Sequence, residues 1–206
     1  MKRIVIALLA LSLLASCGNR GGGNVFLIGP AAQINTLHAP WDGLDDNTTF
    51  RCFSDSEWFY FTYEVEDATI TLKADYQGEK DVEPEDRVEI FFSPREEMDI
   101  YWCAEMDPAG RVLDYEAKYY REMDYGWNFS TLELASNIKE NGYTLWGKIS
   151  KDELRKLGVD LSNFRMGVFR ADFRPDGSVN WYSAVPTEDK SPDFHKPDLL
   201  FSASMR

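Results

Sequence analysis

Apolar and polar residues alternate along most of the chain after residue 48, which predicts a protein built from β-strands. The clearest run is 57–66, where Phe59, Phe61, Tyr63 and Val65 occupy every second position. Successive side chains of a strand point to opposite faces, so these four share one face. The same alternation recurs, with turn residues between the runs, at 49–54, 88–93, 99–106, 111–119 and 142–149. This pattern favours antiparallel strands in a sheet with one face covered.

The segment 164–201 predicts a strand, a turn, a second strand, a long loop and a closing strand. By the period of two, Arg170 shares a face with the alternate apolar side chains of its strand. The turn is predicted at 175–177, where proline presets φ and glycine tolerates positive φ. If the flanking strands form a hairpin, Trp181 lies near Arg170. A fixed charge beside a flat aromatic ring suits a sugar ligand, although the edge of a sandwich can present the same pair by chance.

One short helix is predicted after residue 150. Ser150 and Glu153 have the types and spacing of a capping box, and Gly158 supplies a stop at the C-terminal end. Leu154 would anchor this helix to the sheet. A further strand is expected at 68–74. Together these elements predict an all-β fold, an antiparallel β-sandwich with one short helix.

The first residues have the features of a bacterial lipoprotein signal. Lys2 and Arg3 precede an apolar run that ends at 14–17 in Leu-Ala-Ser-Cys, which resembles a lipobox. The apolar run is too short to span a bilayer as a permanent helix. The prediction is a signal peptide at 1–16 and a lipidated Cys17, with ordinary cleavage beside a chance cysteine as the alternative.

A flexible tether is predicted at 17–33, because 18–23 is rich in glycine and has little surface to bury. The β-sandwich would then occupy 34–206. The lipid on Cys17 would be the protein's only contact with a membrane. We expect a place in the bacterial cell envelope, anchored in the outer membrane, with the periplasmic and surface orientations both open.

The charge of the chain limits its partners. The formal net charge is −13, and loss of the cations Lys2 and Arg3 with the signal would lower it by 2, to −15. A surface this acidic repels nucleic acid and anionic lipid, so we expect no nucleic-acid partner. Neutral glycans are not excluded by charge.

Two cysteines remain once Cys17 is lipidated. In an oxidising compartment Cys52 and Cys103 could form a disulfide or stay free, because the sequence does not give their separation. Zinc is not expected, since these cysteines have no C-x-x-C spacing and the chain has 2 histidines.

No cofactor is predicted, and calcium in the acidic segment 75–87 is the alternative. Clustered carboxylate oxygens are the ligands that calcium prefers. The spacing matches no fixed calcium loop, and a solvated run of charges is the alternative. The carboxylates concerned are Asp81, Glu83, Glu85 and Asp86.

Four short motifs occur in order over most of the chain after about residue 34. They are Trp58-Phe59-Tyr60-Phe61 with Val65-Glu66-Asp67, then Asp86-Arg87-Val88-Glu89-Ile90-Phe91-Phe92, then Asp107-Pro108-Ala109-Gly110, then Arg170, Trp181, Pro186, Phe194-His195-Lys196-Pro197 and Phe201. This series resembles family 9 carbohydrate-binding modules and their DOMON-like bacterial relatives. The resemblance implies an antiparallel β-sandwich that binds sugars without cleaving them.

The resemblance also implies a set of site residues. Trp181 would stack on a sugar ring, and Arg170 would donate hydrogen bonds to ring hydroxyls. The further candidates for carbohydrate binding are Trp102, Trp127 and Glu105.

A structural role is the alternative for several of these residues. Arg170 could be tied to a buried acid such as Asp172 or Glu89, and Trp181 could belong to the core. Trp127 lies in a loop rich in aromatic residues, which could plug an open end of the sandwich as well as stack on sugars.

The predicted function is the capture of a polysaccharide or oligosaccharide by a non-catalytic envelope lipoprotein. Glu89 and Glu105 could also form the carboxylate pair of a glycosidase, but nothing in the sequence fixes their separation, and no enzyme is predicted. A protein-interaction or assembly subunit of an envelope complex is one alternative. A haem-binding sandwich is another, with His195 or His38 and one of Met98, Met106, Met123 and Met166 as iron ligands.

Overall fold

The computed structural model describes residues 25–206, which form two β-sheets packed face to face. In chain order the elements are β1 (Phe26–Ile28), β2 (Gln33–Leu37), β3 (Thr48–Ser54), β4 (Trp58–Glu66), β5 (Arg87–Ser93), β6 (Tyr101–Met106), β7 (Val112–Lys118), β8 (Glu122–Asp124), β9 (Glu133–Lys139), β10 (Gly142–Ser150), α1 (Lys151–Lys156), β11 (Phe164–Phe173), β12 (Val179–Ser183) and β13 (Phe201–Met205). The predicted all-β sandwich with one short helix is confirmed.

The two sheets have different sizes. The eight-stranded sheet has the order β1-β13-β11-β5-β6-β7-β8, with β12 paired to β11, and the five-stranded sheet has the order β2-β3-β4-β10-β9. Among the described strands, β1 and β13 form a parallel pair and the other pairs are antiparallel.

The main core lies between the inner faces of the sheets. Phe59 of β4 packs edge-on against Phe92 of β5, with ring centroids 5.8 Å apart. The Tyr63 hydroxyl donates to the backbone carbonyl of Glu89 at 2.7 Å, which joins the two sheets by a buried hydrogen bond. Burial of such side chains stabilises a fold by about 25 cal/mol per Å² of apolar surface.

The outer face of the eight-stranded sheet, turned away from the smaller sheet, is also covered. Phe169 of β11 stacks on Phe194 from the long connection between β12 and β13, with ring centroids 4.3 Å apart. Leu199 and Leu200 of the same connection are buried. Every residue of β5 and β6 is consequently buried, and the second covered face is where polar groups collect.

The hairpin of β11 and β12 has the predicted turn. Gly177 adopts a φ of 86° and its N–H donates to the Arg174 carbonyl at 2.9 Å. The helix α1 begins as predicted, because Ser150 Oγ accepts from the Asp152 N–H at 3.2 Å. Gly158 follows the helix with a φ of 85°.

Part of the capping-box prediction is wrong. The Glu153 carboxylate does not turn back to the Ser150 N–H. It accepts instead from the backbone N–H groups of Ser130, at 2.6 Å, and Thr131, at 2.9 Å. This acid therefore fastens a neighbouring loop to the helix.

The sandwich begins earlier than predicted. The signal peptide 1–16, the lipidated Cys17 and the first part of the tether 17–33 lie outside the described residues. Within that predicted tether, β1 pairs with β13 and Ile28 is fully buried, so the boundary at residue 34 is too late. A three-residue strand is too short to show alternation, and its pairing partner lies at the far end of the chain.

Two other expectations on structure are resolved. Residues 68–74 are not a strand; the Thr71 N–H donates to Asp86 Oδ2 at 2.7 Å rather than to a neighbouring strand. Cys52 and Cys103 are both free and buried, one in the main core and the other under the outer face.

No helix among the described residues is long and apolar enough to cross a membrane.

Candidate functional site

A pocket with a cavity volume of about 240 Å³ opens on the outer face of the eight-stranded sheet. Its floor consists of outer-face side chains of β5, β6 and β7, namely Arg87, Glu89, Glu105 and Tyr115. Its walls come from the connections that cover this face, and include Tyr125, Trp181, Asp193 and His195. The volume lies just below that of sites for drug-sized ligands, which suits a single small polar ring.

Arg87 joins the two carboxylates of the floor. Its Nε lies 2.8 Å from Glu89 Oε1 and 2.7 Å from Glu105 Oε2. The two acids are directly opposite each other on β5 and β6, and without the guanidinium their charges would repel. The Tyr115 hydroxyl donates to Glu105 Oε1 at 2.7 Å. The floor is therefore polar and held in place before any ligand arrives.

The two acids of the floor have different environments. Burial, together with the neighbouring Glu105 carboxylate, raises the pKa of Glu89 to about 8. Glu105 Oε2 is buried and receives no well-aligned hydrogen bond, despite its short distance to Arg87. Buried polar atoms normally have a partner. Because Glu105 lines the cavity, a ligand hydroxyl could supply the missing bond.

Trp181 forms an aromatic wall beside this floor. Its backbone N–H donates to Asp42 Oδ2 at 3.0 Å. Its ring meets the ring of Phe194 edge-on, with centroids 5.3 Å apart. The guanidinium carbon of Arg87 lies 6.0 Å from the Trp181 ring centroid. The predicted arrangement of a fixed positive charge beside a half-buried tryptophan is therefore present. The charge belongs to Arg87 and not, as predicted, to Arg170.

The rim of the pocket carries both positively and negatively charged hydrogen-bonding groups. Arg121 Nη2 donates to Asp193 Oδ1 at 2.7 Å, and the Tyr120 hydroxyl donates to Asp193 Oδ2 at 2.6 Å. Tyr125 packs edge-on against Tyr115, with ring centroids 5.2 Å apart. The aromatic loop that contains Tyr125 therefore contributes a wall of the pocket.

His195 closes the inner wall. Its Nδ1 lies 2.8 Å from the Tyr101 hydroxyl, which ties the connection after β12 to the sheet. Burial, with the nearby Arg121, lowers the pKa of His195 to about 3, so the ring is neutral at physiological pH. Two of the methionines considered as iron ligands, Met106 and Met166, lie in the core between the sheets.

Arg170 lies on the opposite face of the sheet from the pocket. The register pairs Arg170 with Tyr182 and Ala171 with Trp181, so Arg170 and Trp181 point to opposite sides. Arg170 is 0% exposed, and its Nη2 donates to Asp67 Oδ2 at 2.5 Å. Its predicted role in sugar binding is therefore corrected: it is ion-paired inside the sandwich and cannot reach a ligand in the pocket.

Two of the predicted tryptophans, Trp102 and Trp127, lie away from the pocket. Trp102 is 2% exposed and its Nε1 donates to Glu116 Oε2 at 3.2 Å. Trp127 packs edge-on against Phe129, with ring centroids 4.7 Å apart, and lies against the main core. Neither lines the pocket, because both belong to the inner side of the sheet. Of the secondary candidates, Glu105 is the one that the structure places in the floor.

The acids considered for calcium do not converge. Among residues 81–86, Asp81 pairs with Lys73, Glu83 with Lys80 and Glu85 with Arg111. Within residues 25–206, the carboxylates close enough to share an ion are Asp67, Asp86 and Asp172, with ligand atoms within 4.8 Å of one another. Burial raises the pKa of Asp86 to about 7, and Arg170 already supplies a positive charge to this group.

A larger cavity lies elsewhere, with a volume of about 830 Å³ around Asp67 and Arg174 at one end of the sandwich. No aromatic side chain lines it, so it offers no surface on which a ring could stack. The smaller pocket combines an aromatic wall, buried acids and fixed guanidinium groups, and is the better candidate for a binding site.

Sequence reasoning missed Arg87, Tyr115 and Tyr125 as pocket residues. Arg87 lay within one of the recognised motifs, two positions before Glu89. That spacing puts both side chains on the same face of β5, which was the available signal. Tyr125 lies in the same aromatic loop as Trp127, which was the predicted binding residue of that loop.

The sequence comparisons identify no relatives: no protein-family model matches the chain, and neither does any curated protein. The structural comparison finds clear similarity in fold. A proposed carbohydrate-binding protein from Bacteroides uniformis is 17% identical with a TM-score of 0.70, over 84% of this chain and 86% of that chain.

A family 9 carbohydrate-binding module from Caldicellulosiruptor kristjanssonii is similar in two complexes. With cellotriose the TM-score is 0.61 at 10% identity, over 89% of this chain and 94% of that one. With glucose the TM-score is 0.62 at 11% identity, over 89% and 96%. The chain therefore has the fold of family 9 carbohydrate-binding modules, as the sequence motifs indicated.

Proposed function

We propose that this protein binds carbohydrate, without cleaving it, in the pocket formed by Arg87, Glu89, Glu105 and Trp181. The observation that carries the proposal is the position of Trp181 beside two buried acids held by one guanidinium. Sugars have apolar C–H faces that stack on aromatic rings, and hydroxyls that pair with charged groups. The structural neighbours in complex with cellotriose and glucose support the same ligand class.

Each group has a defined role in this proposal. Trp181 offers the stacking surface. Glu105 accepts hydrogen bonds from ligand hydroxyls at Oε2, which lies beside Arg87 and lacks a well-aligned hydrogen bond. Arg87 orients both acids while remaining able to donate. His195 stays neutral and limits the depth of the pocket. Arg87 holds both acids in position. Glu89, whose pKa burial raises to about 8, carries a proton at neutral pH, so the acceptor role falls to Glu105.

The location of the protein is part of the proposal. The lipobox-like sequence ending in Cys17 would anchor the domain in the bacterial envelope, where it would capture polysaccharide or oligosaccharide. The high negative charge is compatible with a neutral glycan and unfavourable for nucleic acid.

The test is calorimetry and gel retardation of the purified protein with glucose, cellotriose and a panel of plant, algal, mucin and bacterial polysaccharides. Binding by the wild type should be lost in Trp181→Ala and kept in Leu44→Ala, an exposed residue outside the pocket. Release of reducing sugar is measured in parallel, and none is expected.

The negative outcomes are informative. A folded wild type that binds no member of the panel would favour the assembly-subunit interpretation. Binding that survives in Trp181→Ala would move the site away from this pocket. Release of reducing sugar that depends on Glu105 would make the protein a hydrolase.

A further inference from the structure

A second group of aromatic side chains lies on the outer face of the five-stranded sheet. In the register of this sheet, Phe53 of β3 is opposite Tyr60 of β4, and Tyr60 is opposite Lys148 of β10. Trp146 is two residues before Lys148 on the same strand, and so shares its face. These rings are turned away from the core and lie on the side of the sandwich opposite to the pocket.

Two of these rings are exposed, and contacts hold Phe53 and Tyr60 against each other. Trp146 is 43% exposed and Phe53 is 40% exposed. Phe53 stacks on Tyr60 with centroids 4.6 Å apart and planes 10° apart. The Tyr60 hydroxyl donates to Asp55 Oδ2 at 2.9 Å, which fixes the ring. A shallow cavity of about 240 Å³ is lined by Tyr60 and Trp146.

The two cations beside these rings are already paired with acids. Lys148 Nζ lies 3.1 Å from Glu133 Oε2 and 4.1 Å from the ring centroid of Trp58. Arg51 Nη2 lies 3.3 Å from Glu64 Oε2 on the same face. Asp55 is held by the Tyr60 hydroxyl and by backbone N–H groups. An anionic partner would have to compete with Glu133 and Glu64 for these cations, whereas a neutral one meets stacking surface and paired polar groups.

We propose that this face, defined by Phe53, Tyr60, Trp146 and Lys148, is a second carbohydrate-binding surface that holds a segment of a neutral polysaccharide chain. The rings extend over three adjacent strands, about 10 Å across, which is wider than a single sugar ring. Aromatic rings give the stacking surface, and Lys148 and Glu133 at the margin give donors and acceptors. The pocket holds a short ligand and this surface holds an extended one.

The test is co-sedimentation of the purified protein with insoluble cellulose, xylan, chitin and β-1,3-glucan. Trp146→Ala and Phe53→Ala should weaken binding to at least one of these polymers by about tenfold. The matched control is Ile138→Ala, an exposed apolar residue that is not on this face. Calorimetry with glucose and cellotriose reports on the pocket separately, and should be unchanged in both surface variants.

The outcomes for the two sites are distinguishable. Trp181→Ala should still sediment with the polymer, and the double variant Trp146→Ala/Trp181→Ala should not. The proposal is overturned if both surface variants sediment as the wild type does, or if the wild type sediments with no polymer. It is also overturned if sedimentation velocity shows a wild-type dimer that Trp146→Ala separates into monomers, which would assign the face to a second copy of the chain.

Discussion

Arg170 and Trp181 belong to one hairpin, yet their side chains lie on opposite faces of the eight-stranded sheet. The register places Trp181 opposite Ala171, so it shares the outer face with Phe169 and the pocket, while Arg170 shares the inner face with Tyr182. A single step along the strand thus separates a residue of the pocket from one that is buried in an ion pair. The consequences can be tested at both faces.

Loss of the buried ion pair on the inner face should have a large effect on stability. Asp67→Asn removes the nearer of the two buried carboxylates that pair with Arg170, and leaves Asp172 at 3.5 Å. Breaking a buried ion pair is costly, so we expect the free energy of unfolding to fall by about 3 kcal/mol. Urea denaturation measures this change. Glu64→Gln, which breaks an exposed pair with Arg51, should cost less than about 1 kcal/mol; equal losses in the two variants would contradict the prediction.

Loss of the Glu105 charge on the outer face should weaken the binding of saccharide. Glu105→Gln keeps the size of the side chain and removes its charge, so hydrogen bonds from ligand hydroxyls become weaker. Charged acceptors contribute about 1.5–3 kcal/mol to a hydrogen bond, and we expect a dissociation constant for saccharide at least about tenfold higher. Calorimetry measures it, with Glu140→Gln on the exposed surface as the control. Unchanged affinity would remove Glu105 from the site.

The pKa of Glu89 predicts how stability depends on pH. Folding raises this pKa from its ordinary value of 4.5 to about 8, mainly through burial. The folded state therefore holds the proton more tightly than the unfolded state. The contribution of protonated Glu89 to the free energy of unfolding is complete below the pKa of Glu89 in the unfolded state. It is lost as the pH rises through the pKa of Glu89 in the folded state.

Glu89→Gln tests this dependence, because it keeps the side-chain shape and cannot titrate. The wild type should lose unfolding free energy as the pH rises from about 4.5 to 8, and the variant should lose less. Urea denaturation across this range gives both slopes. The same slope in both proteins would show that Glu89 does not titrate in this interval.

The burial of Cys52 and Cys103 predicts that their thiols are alkylated slowly in the folded protein. Burial raises the pKa of Cys52 to about 12, and the pKa of Cys103 lies well above its usual value for the same reason. The reactive species is the thiolate, so neither thiol should be alkylated in the folded protein. Mass spectrometry after iodoacetamide treatment should find both unmodified without urea and modified with it. A Cys52–Cys103 disulfide in the mass spectrum would contradict the structure.

The strand β7 shows where pattern reasoning reached its limit. Alternation separates Leu113, Tyr115 and Ala117 from Asp114 and Glu116, and predicts that the two acids face water. For Asp114 this prediction is wrong. Asp114 is buried and accepts from the Phe129 N–H at 2.7 Å, whereas Tyr115 lines the pocket. Alternation defines two faces of a strand, but a loop distant in sequence decides what covers each one.

The sequence by itself determined β3 to β7, β10 and β11, the turn at 175–177 and the start of α1, because these depend on local backbone preferences and on side-chain periodicity; the family of folds came from the resemblance of its motifs. The tertiary structure decided which arginine serves the pocket. Arg87 and Arg170 both interrupt apolar strands, and both have acids within reach in space. Arg170 is held by Asp67, 103 residues away, and Arg87 meets Trp181 only after the β11–β12 hairpin forms beside β5. Contacts over such separations arise from sheet register and loop covering, which no local pattern encodes.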